Sequence, residues 1–194
     1  TEGKYQPAPG QSACLDCATG TYMNFTGKTS CTACIAGTFA ASEGLASCEY
    51  CVAGKYQVAS GQVGCDDCEA GTYGDERGAS RCTDCAAGRL SNSTGFTECD
   101  ECAAGKYQLT TGQSSCIDCD SGTYSSVGAT SCSDCAAGNY STEGSSSCRR
   151  CDAGKYSGSG AEICSVCEAG KYNDESGQSS CSDCEGGFAQ PSNS

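Results

Sequence analysis

The sequence predicts a small disulfide-rich repeat protein: an elongated rod of tandem 16–17-residue loops with short β-bridges or hairpins and almost no helix. Three observations carry this prediction: eleven Cys-x-x-Cys pairs at a spacing of 16 or 17 residues, two glycines at fixed places between them, and one aromatic residue beside the first glycine.

The pairs open at Cys14, Cys31, Cys48, Cys65, Cys82, Cys99, Cys116, Cys132, Cys148, Cys164 and Cys181 and account for all 22 cysteines. A period this strict is the signature of a repeat array, one continuous body whose repeats contact mainly their sequence neighbours. Cysteine, at 22 of 194 residues, exceeds the ~8–10% that marks a disulfide scaffold. Trp is absent, Met occurs once and Phe four times. Without an ordinary hydrophobic core, repeats this short need covalent closure.

Counted from the second cysteine of each pair, a repeat reads Cys-x-x-Gly-x-(Tyr/Phe), then a variable stretch, then Gly-x-x-x-Cys-x-x-Cys. This register sets ten complete repeats, 17–33, 34–50, 51–67, 68–84, 85–101, 102–118, 119–134, 135–150, 151–166 and 167–183, between partial repeats 1–16 and 184–194. A glycine held in register supplies a positive φ or lets backbones approach closely, so Gly37 and Gly44 mark two turns in their repeat. Between such turns lie stretches like Lys55-Tyr56-Gln57-Val58, too short for a helix and without its 3.6-residue period. They predict bridges or hairpins. Repeats 119–134, 135–150 and 151–166 each lose one residue between the aromatic and the second glycine, which places a surface turn there.

The aromatic recurs at Tyr5, Tyr22, Phe39, Tyr56, Tyr73, Tyr107, Tyr124, Tyr140, Tyr156 and Tyr172, with Leu90 in one repeat and a shifted Phe188 at the end. Leucine keeps the apolar body and loses the hydroxyl, so the position is read as a cover for a disulfide or for the next repeat's backbone. A tyrosine ladder for ligand stacking or cross-linking is the second reading.

Paired Cys-x-x-Cys motifs admit three chemistries. Four-thiolate zinc sites consume pairs two at a time, which eleven pairs do not allow, and the chain has no histidine. Redox catalysis needs the motif at the head of a helix in a βαβ unit, and no such pattern is present. Structural disulfides remain, so no metal, cofactor or catalytic residue is expected. If one rule serves every repeat, the second cysteine of each pair bonds the first of the next and closes the Gly-aromatic-Gly loop. That rule predicts Cys17 with Cys31, Cys34 with Cys48, Cys51 with Cys65, Cys68 with Cys82 and Cys85 with Cys99. It continues with Cys102 to Cys116, Cys119 to Cys132, Cys135 to Cys148, Cys151 to Cys164 and Cys167 to Cys181. An alternating pattern, first to second cysteine across neighbouring pairs, would instead interlock the repeats. Either pattern belongs to an oxidising compartment.

The first rule leaves Cys14 and Cys184 as candidates for a terminal or intermolecular disulfide. The chain is then a segment of a longer array, or Cys184 of one copy meets Cys14 of another in a head-to-tail filament. Three sequons, at Asn24, Asn92 and Asn139, are candidate N-glycosylation sites. Acidic residues inside the pairs, Asp66-Asp67 and Asp100-Glu101 among them, are read as solvated surface, since calcium needs six to eight converging oxygens. A net charge of −13 argues against nucleic acid and anionic membrane surfaces as partners. No apolar run approaches the ~18–20 residues of a membrane span, so this segment is not expected to insert. With no histidine, no deep pocket and no distinguished carboxylate pair, the chain is not expected to be an enzyme.

The repeat is seen cleanly from Cys102-Ala-Ala-Gly-Lys-Tyr107 to Cys116-Ile-Asp-Cys119. It resembles the ephrin-receptor-like cysteine-rich repeats of the Gly-Cys-Cys type and is similar to the first loop of tumour necrosis factor receptor cysteine-rich modules. The resemblance implies an elongated, disulfide-laddered structure, extracellular or at the cell surface and reached by the secretory pathway, and it matches the second-to-first bridge rule. The expected function is an extracellular structural protein, a disulfide-laddered stalk or filament subunit of a cell-surface or appendage assembly. A ligand-binding or adhesion module of a receptor ectodomain is the alternative. The expected partners are other protein chains, including identical copies in a filament, together with attached glycans.

Overall fold

The computed structural model describes residues 1–185. Phe188 and nearly all of the partial repeat 184–194 lie outside the described residues. The chain forms two compact bodies. One comprises Thr1–Ala86, Leu90–Asp100 and Thr111–Ser115, and the other Ala87–Arg89, Glu101–Thr110 and Cys116–Ser194.

Both bodies are built from the same element. The described residues form two-residue strands paired into antiparallel hairpins, with no helix among them. The first strand is the aromatic and the residue before it; the second is the dipeptide inside the following Cys-x-x-Cys. In repeat 34–50, Thr38 lies opposite Tyr50 and Phe39 opposite Glu49. Before the hairpin, Thr38 N–H donates to the Ile35 carbonyl at 3.0 Å and closes a tight turn. Gly37 occupies the third position of that turn with φ +80°, where a type II turn requires a left-handed residue.

Ten disulfides span 13 or 14 residues each and join the second cysteine of one pair to the first of the next: Cys17–Cys31, Cys34–Cys48, Cys51–Cys65, Cys68–Cys82, Cys85–Cys99, Cys102–Cys116, Cys119–Cys132, Cys135–Cys148, Cys151–Cys164 and Cys167–Cys181. They are the core. From Cys17 to Cys151, every bridge cysteine that opens a loop is fully buried, while the tyrosines are half-buried or exposed. Sulfur thus fills the volume that aliphatic side chains fill in an ordinary domain.

Backbone hydrogen bonds tie each repeat to the next. Gly37 N–H donates to the Gln57 carbonyl at 2.8 Å, Ala40 N–H to the Gln62 carbonyl at 3.0 Å, and Gly44 N–H to the Cys17 carbonyl at 2.8 Å. Contact does not stop at the sequence neighbour. The first glycine of a repeat packs on the second glycine two repeats on. A Cβ built on Gly37 would lie 2.0 Å from the Gly78 carbonyl oxygen, and one on Gly122 would lie 2.1 Å from that of Gly160. With no side chain at either position, backbone meets backbone.

Candidate functional site

The hairpin register decides which charges meet. The residue after the first glycine faces the residue before the second cysteine, so Lys4 pairs with Asp16 (2.6 Å), Lys55 with Asp67 (2.6 Å), Arg89 with Glu101 (2.8 Å), Lys106 with Asp118 (2.6 Å) and Lys171 with Asp183 (2.8 Å). These carboxylates stay solvent-exposed, as expected for surface charge, and also serve as cross-strand partners. The hydrogen bond to Asp183, and then its negative charge, hold the Lys171 ammonium above its ordinary pKa. The sequence carries a signal for this pairing: Gly-Lys-Tyr-Gln recurs at 3–6, 54–57 and 105–108, and each lysine has an aspartate twelve residues on.

The position after the aromatic is the other one that sequence reasoning missed. Ser91 is 0% exposed; its hydroxyl accepts from Gly71 N–H at 2.7 Å and donates to the Thr72 carbonyl at 3.0 Å, in the preceding repeat. Ser125, Ser141 and Ser157 donate in the same way to Lys106, Thr123 and Asn139 carbonyls at 2.8–2.9 Å. Gln57 instead closes its own turn, donating to the Gly64 carbonyl at 3.0 Å and accepting from Ala59 N–H at 3.1 Å.

A shallow cleft of about 210–220 Å³ recurs where the aromatic of one repeat overhangs the hairpin of the next. Tyr140 with Asp152, Lys155 and Ile163 lines one, and Tyr156 with Glu168 and Lys171 another. In the cleft formed by Tyr22, Ile35, Thr38, Ser47, Cys48 and Tyr50, the acid–base pair is replaced by Ile35 and Thr38. Tyr50, 57% exposed, takes the strand position that is acidic in seven other repeats. The Arg77 guanidinium lies 5.8 Å from its ring centroid. Arg149 and Arg150 invert the charge of their hairpin, facing Tyr140 and Asn139. The acidic pattern is thus also broken around Tyr50 and around Arg149-Arg150, as it is more mildly at Ala33 and Val166.

Among the described residues, no group of three or more His, Cys, Asp or Glu is placed to hold a metal ion, and no helix is long and apolar enough to cross a membrane. Cys14 is exposed and Cys184 half-buried, both free thiols. Asn24 and Asn92 are exposed in the turn after the aromatic, and Asn139 sits in a strand.

A family model described as tyrosine-protein kinase ephrin type A/B receptor-like matches the chain four times, over residues 3–44, 37–85, 88–135 and 154–193. No curated protein matches it.

Proposed function

This chain belongs to the ephrin type A/B receptor-like family of cysteine-rich repeats, a receptor-type extracellular module, and from that premise we propose that it is a structural element of a cell-surface or appendage assembly, a disulfide-laddered stalk or filament subunit. The observation that carries the reading is the double restraint on the repeats. A disulfide closes each complete repeat, and from Gly3 to Gly138 glycine backbone contact locks a repeat to the one two positions on, as between Gly37 and Gly78. Such a chain keeps its local geometry without a hydrophobic core and has little interior in which to bury a ligand. Its partners are other protein chains. Cys14 and Cys184, left outside the ladder, are the thiols available for joining copies covalently.

Electron microscopy of the native extracellular material, with an antibody against the array, tests the proposal. Label recurring along stalks or fibres supports it. Label found only on dispersed single chains contradicts it, and intact mass with and without reductant then reports whether both thiols were free.

The alternative reading, a ligand-binding or adhesion module, draws on the exposed Tyr50–Ile35 cleft, because a recognition site should depart from the repeat pattern and this one does. Loss of partner capture in a Tyr50→Ser variant that keeps its disulfides would favour it over the structural reading.

A further inference from the structure

We infer that Asn24 and Asn92 carry N-linked oligosaccharide in the native molecule, and that Asn139, the third sequon, does not. The inference rests on the extracellular reading above, because the glycan is added on the secretory route.

Asn24 and Asn92 occupy the same place in the repeat. Each is the second residue after the aromatic position, occupied by Tyr22 and Leu90, and each sequon ends on a threonine, Thr26 or Thr94, next to the second glycine. All six sequon residues, 24–26 and 92–94, are exposed. Neither asparagine side chain makes a hydrogen bond among the described residues, so a sugar on its Nδ2 displaces nothing. The turn is also where the chain tolerates a one-residue deletion in repeats 119–134, 135–150 and 151–166, which marks it as outside the packed ladder.

Phe25 adds an independent observation. It is 62% exposed, with the Lys28 ammonium 5.9 Å from its ring centroid. The C–H face of the first sugar on Asn24 has an aromatic face beside it to cover, and covering it removes apolar surface from water.

Asn139 is built differently. It lies in a strand opposite Arg150, and its Nδ2 is engaged by the preceding turn, donating to the Ala136 carbonyl at 3.1 Å and the Ala137 carbonyl at 3.4 Å. The sequon hydroxyl, Ser141, is 1% exposed and donates to the Thr123 carbonyl at 2.8 Å. The carbonyl of Asn139 accepts from Ser157 of the next repeat at 2.8 Å. A sugar on this Nδ2 would cost at least one of its two bonds to the turn, and it would sit beside a sequon hydroxyl already buried against the preceding repeat.

The modification forms a bond between Nδ2 and C1 of an oligosaccharide carried on a lipid pyrophosphate. The C1–O bond to the carrier breaks, the lipid pyrophosphate leaves with the electron pair, and one amide proton is lost to the transferase. The nitrogen keeps one hydrogen, which suffices for an exposed turn but not for the paired contacts of Asn139.

The experiment is secretion of the full chain from a eukaryotic cell, thiol titration, then peptide-N-glycosidase digestion in heavy-oxygen water and peptide mapping. The enzyme converts a glycosylated asparagine to isotopically marked aspartate. Marked aspartate is expected at positions 24 and 92 and unmodified asparagine at 139. Asn24→Gln and Asn92→Gln each remove one step of gel mobility, and Asn139→Gln removes none. Unmarked Asn24 and Asn92 in a secreted chain with its ten disulfides closed overturns the inference alone, as does full marking at Asn139. A chain that is retained, or that exposes many more than two thiols, overturns the extracellular reading and this inference with it.

Discussion

Gly37 packs on Gly78 so closely that a Cβ on the first would lie 2.0 Å from the carbonyl oxygen of the second. The two residues sit at different positions of repeats that are not sequence neighbours. Each also has positive φ, +80° and +76°, so one residue type meets two demands, a left-handed backbone and the absence of a side chain. The disulfide closes a repeat on itself, and this contact couples it to the repeat two positions on.

Substitution separates the two demands. Gly10, at φ +79° with nothing within 4 Å of a built Cβ, pays only for its backbone, and Gly10→Ala should cost about 1–2 kcal/mol. Gly37→Ala adds a backbone overlap and should cost roughly 3–5 kcal/mol. Hydrogen exchange at the Gly78 amide, which donates to the Cys51 carbonyl at 2.8 Å, should accelerate strongly in the second variant and stay near the wild-type rate in the first.

Ser91→Ala leaves the half-buried Thr72 carbonyl without its hydroxyl donor, while Gly71 N–H keeps the Ser91 carbonyl at 2.9 Å. The expected cost is about 1–2 kcal/mol. Ser93→Ala, two residues on in the exposed turn, should be neutral. Proteolytic susceptibility of the two variants checks the contrast.

The cross-strand ion pairs contribute little stability at the surface. Lys55 and Asp67 are 38% and 49% exposed, and pairs of this kind are worth about 0–1 kcal/mol and are screened by salt. Lys55→Met should shift unfolding only slightly at low ionic strength and not at all in molar salt.

For Lys171 the direction of the pH effect follows from its raised pKa. A lysine whose folded pKa exceeds its unfolded value contributes its stabilisation in full below the unfolded value and loses it as pH rises through the folded one. The last hairpin should therefore loosen only at alkaline pH. In an NMR titration, Asp183→Asn should bring the Lys171 midpoint down.

The repeat fold and its hairpins were legible because cysteine and glycine spacing is a direct record of loop length and turn position. The glycine contact was not, since a period shows which residues are equivalent but not which positions of different repeats touch. The Lys55–Asp67 pair spans the whole loop and becomes visible only once the hairpin register is known. Ser91 reads as turn composition in sequence and becomes a buried bridge only when the preceding repeat supplies the Thr72 carbonyl. Asn139 already stands apart from Asn24 in sequence, because it precedes the repeat aromatic instead of following it, and its strand and its amide bonds to the Ala136 and Ala137 carbonyls supply the physical reason.

The measurement that bears most directly on the account is a disulfide map of the secreted chain, digested without reduction and sequenced by mass spectrometry. The account predicts ten linked peptide pairs, each joining the second cysteine of one pair to the first of the next, as Cys85 to Cys99, with Cys14 and Cys184 free or joined between chains. Bridges within a Cys-x-x-Cys pair, or between first and second cysteines of neighbouring pairs, would contradict it.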